Sequence, residues 1–104
     1  MKLHIHGKNV TITEAMLQTT QKKLSFLEKY FLIDEETPAN VSVKVYPNSM
    51  KVEVTILSKI AILRAEVSHE AYYAAIDLAI DTLEDQIRRQ KTRLSRQHRE
   101  TLSK

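Results

Sequence analysis

From His69 to Lys104 the sequence keeps one helical period, and this long helix constrains the fold more than any other feature. Tyr73, Ile76, Ile80, Leu83 and Ile87 are spaced by threes and fours, which holds one apolar stripe on one side of a helix. Leu94 is the last residue on that stripe. A one-sided stripe has to be covered, so the rest of the chain must supply an apolar surface. Past the stripe the helix turns basic, with Arg88, Arg89, Lys91, Arg93, Arg96, Arg99 and Lys104 against a single acid, Glu100.

The cover is written upstream in a different period. Val41, Val43 and Val45 alternate with Ser42, Lys44 and Tyr46, and Val52, Val54 and Ile56 alternate with Lys51, Glu53 and Thr55. Leu63, Ala65 and Val67 share a face in a last strand over 60–67. Period-two alternation gives strands with one apolar face. Their short connections, Pro47-Asn48-Ser49 and Ser58-Lys59, favour an antiparallel meander. Lys2 to His6 also alternates and reads as a short strand, ended by a turn at Gly7-Lys8-Asn9. Thr13 is then an N-cap for a first helix over 14–31, with Leu17, Leu24, Leu27 and Phe31 at helical spacing. Asp34 to Asn40 is an acidic loop, and Ser68 caps the second helix.

The predicted order is β-α-β-β-β-α. The fold class is α+β, a four-stranded sheet with two helices packed on one face. This order contains that of double-stranded-RNA-binding domains, an analogy of fold alone. The 104 residues form one domain, whose folded boundary is expected near residue 95, with 96–104 a basic polar extension.

Charge is distributed unevenly. Residues 1–85 hold nine Lys/Arg and twelve Asp/Glu, a balance of −3, whereas 86–104 hold seven and one, a balance of +6. Such asymmetry points to an anionic partner. No apolar run approaches the ~20 residues that span a bilayer. The first residues lack the apolar core of a signal peptide. With no Cys, thiol catalysis, thiolate metal sites and disulfides are excluded. The reading is a cytoplasmic protein.

Catalytic motifs are missing: there is no P-loop, nucleophile elbow, Gly-rich dinucleotide turn or HExxH pair. The chain reads as a non-enzyme with no cofactor and no small-molecule substrate. His4 and His6 share a strand face, but a metal site would need a third ligand from His69, His98 or Glu66. Surface histidines are the preferred reading. Glu84–Arg88 and Asp85–Arg89 are i,i+4 pairs in the favourable orientation.

At ~100° per residue, Arg89, Arg93 and Arg96 fall nearly opposite the apolar stripe. Lys22 and Lys29 share a face of helix one, with Lys23 beside them. Two helices on one side of the sheet would thus form one wall carrying Lys22, Lys23, Lys29, Arg88, Arg89, Lys91, Arg93 and Arg96. Such a wall suits rows of phosphates, and Arg forks also stack on bases. Only Tyr46 is a candidate for an exposed aromatic on the sheet, so recognition by helices is favoured over base stacking on strands.

The run LRAEVSHEAYYAAIDLAIDTLEDQIRRQKTRLSR, residues 63–96, resembles the ribosome hibernation-promoting factors, also called the ribosome-associated inhibitor or protein Y family. VTITEAMLQTTQKKLSFLEKYF (10–31) and KVYPNSMKVEVTI (44–56) extend the likeness over nearly the whole chain. It is greatest to the N-terminal domain of the long subclass, whose linker and second domain have no counterpart in these residues. The resemblance implies a domain that binds small-subunit rRNA in the channel of mRNA and the A- and P-site tRNAs, competes with both and stops translation in idle ribosomes. It implies RNA contacts at Lys22, Lys23, Lys29, Arg88, Arg89, Lys91 and Arg93, and burial of Tyr73 and Ile76.

There are departures from the family pattern. Ala71 and Tyr72 stand where Asp and Met are usual, Thr82 replaces a Lys, Asp85 an Arg, and Phe26 a position often basic. They shift the expected grip toward Arg88–Arg96 and helix one. Two other functions remain open: a general structured-RNA-binding module, and a protein-interaction regulator using the sheet face of Lys44, Tyr46, Lys51 and Glu53. Neither reading fixes a homo-oligomeric state.

Overall fold

The computed structural model describes residues 1–30, 33–59 and 61–102, with side chains described through Gln90. The strands are β1 (Lys2–Lys8), β2 (Pro38–Tyr46), β3 (Ser49–Leu57) and β4 (Ile62–His69). The helices are α1 (Glu14–Ser25), a 3-10 turn over Phe26–Lys29, and α2 (Tyr72–Leu102). The sheet order is β1-β2-β3-β4. β1 runs parallel to β2, a pairing that needs a crossover, and α1 supplies it. The other two pairs are antiparallel, as the short connections require.

Register fixes which face is dry. Val41 pairs with Val54 and Val54 with Ala65; Val43 pairs with Val52. All of these are buried, and Ala39, Ile56 and Leu63 lie on the same face. Leu24 and Leu27 join them from the first helical segment; Ala75, Ile76, Ala79, Leu83 and Ile87 join from α2, completing one cluster. Both helices therefore cover one face of the sheet. The opposite face carries Lys44, Lys51, Glu53, Thr55, Arg64 and Glu66.

Several boundaries differ from expectation for local reasons. Gly7 and Lys8 belong to β1, and the reversal is made at Asn9, whose φ is 61°. Gly7 is required by close approach: a Cβ there would lie 2.7 Å from the Val10 carbonyl oxygen. Pro38–Asn40 open β2 rather than closing the acidic loop. The first helix stays α-helical only to Ser25 and tightens into the 3-10 turn; its expected end at Phe31 lies outside the described residues. Thr13 does cap it, its hydroxyl accepting from the Met16 N–H at 3.1 Å. Ser68 does not cap α2, because it is still in β4; instead the Ala71 N–H donates to His69 Nδ1 at 2.9 Å.

The largest correction concerns the start of the apolar stripe. Tyr73 is 43% exposed, whereas Tyr72 is 7% exposed and belongs to the core. Tyr72 lies four residues before Ile76 and seven before Ala79, so it continues the stripe toward the N-terminus as well as Tyr73 would. The deciding contact is polar: the Tyr72 hydroxyl meets the buried Thr20 hydroxyl at 2.6 Å.

Candidate nucleic-acid interface

The two helices run side by side in the same direction. Thr20 meets Tyr72 at 2.6 Å, Lys23 Nζ meets Asp77 Oδ1 at 2.5 Å, and Lys29 Nζ meets Glu84 Oε2 at 3.2 Å. Each step along the first helical segment is matched by a step along α2. The Tyr30 hydroxyl also donates to Glu84 Oε2 at 2.8 Å. Glu84 is 14% exposed and gathers Tyr30, Lys29 and Arg88 around one carboxylate. The Tyr30 hydrogen bond, then Lys29, holds its pKa below the ordinary glutamate range.

The seam changes the arrangement of the expected cations. Lys22, Lys23 and Lys29 flank residues 77–84 of α2, the acidic middle of that helix. Lys23 and Lys29 are thereby partly neutralised. Arg88 bonds Glu84 at 3.4 Å and also approaches Asp85 at 3.8 Å. The expected Asp85–Arg89 pair is not formed, because Asp85 turns to Arg88. Arg89 and Lys22 are exposed and make no ion pair among the described residues. The side chains of Lys91, Arg93 and Arg96 lie outside the described residues. The placed cations thus form a line that follows the seam and continues past the end of the first helical segment at Arg88 and Arg89.

Sequence reasoning missed Gln86 and read Phe26 only as a lost cation. Gln86 fastens α2 to the free edge of β4: its Oε1 accepts from the Arg64 N–H at 2.9 Å and its Nε2 donates to the Arg64 carbonyl at 2.6 Å. Phe26 is 54% exposed beside the seam, with the Lys29 ammonium 3.9 Å from its ring centroid. Its position one turn from both Lys22 and Lys29 was the available signal.

The uncovered sheet face is largely self-paired in charge. Lys51 bonds Glu66 at 2.9 Å and Glu53 at 3.5 Å, and Arg64 bonds Glu53 at 3.1 Å. The Glu66 hydrogen bond raises the Lys51 pKa, and Lys51 in turn lowers that of Glu66, with smaller help from Arg64 and Lys44. His4 and His6 border a shallow hollow with Asn40, Ser42, Glu53 and Thr55. No group of three metal-ligating side chains gathers among the described residues. On the helical side, Lys22 and Arg89 are exposed cations outside any ion pair among the described residues.

Fold and site together define a small α+β domain whose last helix carries an excess of Lys and Arg in the sequence of its C-terminal half. The chain belongs to the Sigma 54 modulation protein / S30EA ribosomal protein family, whose model matches residues 3–95. It is 44% identical over 101 residues to the ribosome hibernation promotion factor of Staphylococcus aureus (strain COL), covering 96% of this chain and 53% of that protein. The chain therefore spans about half the length of this relative. The crystal structure of the Thermus thermophilus protein Y N-terminal domain superposes with a TM-score of 0.77 at 32% identity, covering 86% of this chain and 98% of that one. A ribosomal subunit interface protein from Coxiella burnetii shares the fold, with a TM-score of 0.76 at 20% identity over 88% of this chain and 99% of that one.

Proposed function

We propose that this domain binds the small ribosomal subunit in the channel used by mRNA and by the A- and P-site tRNAs, blocks translation there and promotes ribosome dormancy. Family membership and the name of the 44%-identical relative support the choice of the ribosome. One geometric observation carries the mechanism. The apolar half of α2 is buried through Ile87, Arg88 and Arg89 immediately beyond it are exposed, and the sequence that follows is rich in Lys and Arg. Phosphates of rRNA neutralise Lys22, Lys23, Lys29, Arg88, Arg89, Lys91, Arg93 and Arg96, and the folded body excludes other occupants of the channel. The action is steric and cytoplasmic; it uses no cofactor, small-molecule substrate or catalytic group.

Occlusion is tested by competition. Cosedimentation with purified small subunits is expected to fall as initiator tRNA and mRNA are added. Binding that persists undiminished at saturating tRNA contradicts the placement in the channel. Equal affinity for a generic RNA duplex and for small subunits would favour a general RNA-binding module instead.

A further inference from the structure

Phe26 is the most exposed aromatic ring among the described residues, and it lies among lysines. It lines a groove of about 500 Å³ between the two helices, together with Thr19, Lys22, Lys23, Asp77 and Ile80. Lys22 stands four residues before it and Lys29 three after, so the ring is bracketed by a cation about one turn away on either side. The Lys29 ammonium lies 3.9 Å from the ring centroid and bonds Glu84 at 3.2 Å, while the ring itself lines the groove. The ring is an exposed apolar surface flanked by lysines, which makes it a poor seat for an ordinary apolar protein segment. A flat, apolar-faced ligand flanked by negative charges satisfies both features.

We propose that the inter-helix groove takes one unpaired RNA base, stacked on Phe26, with the phosphates on either side of that nucleotide held by Lys22 and Lys29. The inference rests on the rRNA-binding reading and adds a single-stranded contact to it. Stacking on an aromatic ring tolerates any base, because every base has a π-face, and an Arg or Lys beside the ring strengthens the site. Asp77, already bonded to Lys23 at 2.5 Å, lies in the groove as an acceptor for an amino group on the base edge.

The chain has no Trp, so Phe26→Trp installs a single fluorescent reporter that keeps the stacking surface. Its emission is expected to be quenched by single-stranded oligoadenylate and by small subunits, and to be unaffected by inorganic polyphosphate, which has phosphates but no bases. Phe26→Leu keeps the apolar bulk without the ring; it should weaken small-subunit binding roughly five- to 150-fold, the span given by loss of one stacked base. Phe26→Tyr should bind as the wild type does. If wild type sediments with small subunits while Phe26→Leu binds equally, or while the emission of the Phe26→Trp variant is quenched by neither RNA, the stacking inference is overturned and the ribosomal reading stands. If wild type does not sediment with small subunits at all, both fall.

Discussion

Tyr72 and Tyr73 begin α2 about 100° apart, so only one ring can face the sheet. The rings meet edge to face at 5.6 Å, and Tyr72 takes the inner position with its hydroxyl on Thr20. Burial pushes the Tyr72 phenol pKa up, with the Thr20 hydrogen bond opposing. Removing that hydroxyl leaves the buried Thr20 hydroxyl without its partner. Tyr72→Phe should therefore cost about 1–2 kcal/mol in urea unfolding, whereas Tyr73→Phe should be close to neutral. Equal effects of the two substitutions would contradict the assignment. The sequence could not separate these neighbours, because helical spacing fits both and the deciding partner lies 52 positions away. Gln86 was invisible for the same reason: its value comes from the unpaired edge of β4, which exists only once the sheet has formed.

At the scale of elements, the seam between the helices is held by side chains that also count toward the candidate RNA surface. Glu84 contributes through its lowered pKa: the folded state binds its proton less readily than the unfolded state. Its stabilisation is complete above the ordinary glutamate value of about 4.3 and is lost as pH falls through the lower, folded value. Asp34, lowered chiefly by the Lys59 hydrogen bond, and Glu66 act in the same direction. Acid unfolding of Glu84→Gln should consequently be less steep below about pH 4 than that of wild type, with the rest of the transition unchanged. Identical acid limbs would show that the seam carboxylate contributes nothing. Element identities were legible because periods of two and 3.6 differ so clearly between residues 41–56 and 76–87. Less legible was what depends on partners: the 3-10 tightening at Phe26, the His69 side chain that takes the Ala71 N–H just before α2 after Ser68 had continued in β4, and the parallel alignment of the helices. That alignment sets Lys23 and Lys29 against Asp77 and Glu84, turning an expected wall of cations into a line.

Across the whole molecule, charge and packing are segregated along one helix. Acids and core contacts occupy the half of α2 that covers the sheet, and the excess of +6 falls in residues 86–104. The asymmetry was readable from composition alone, but composition could not say which cations already had acidic neighbours. Lys22 and Arg89 make no ion pair among the described residues, and the proposed grip centres on the C-terminal half of α2 because the excess of positive charge lies there. If ~5 phosphates are neutralised, the affinity for small subunits should fall with salt at a log–log slope on the order of −3 to −5. The most direct test is cosedimentation of wild type and of Arg89→Glu with Arg93→Glu across a salt series, with circular dichroism to confirm that both are folded. The proposed mechanism predicts steep salt-dependent binding for wild type and none for the folded double variant. Unchanged cosedimentation of the double variant, or a flat salt response of the wild type, would contradict it.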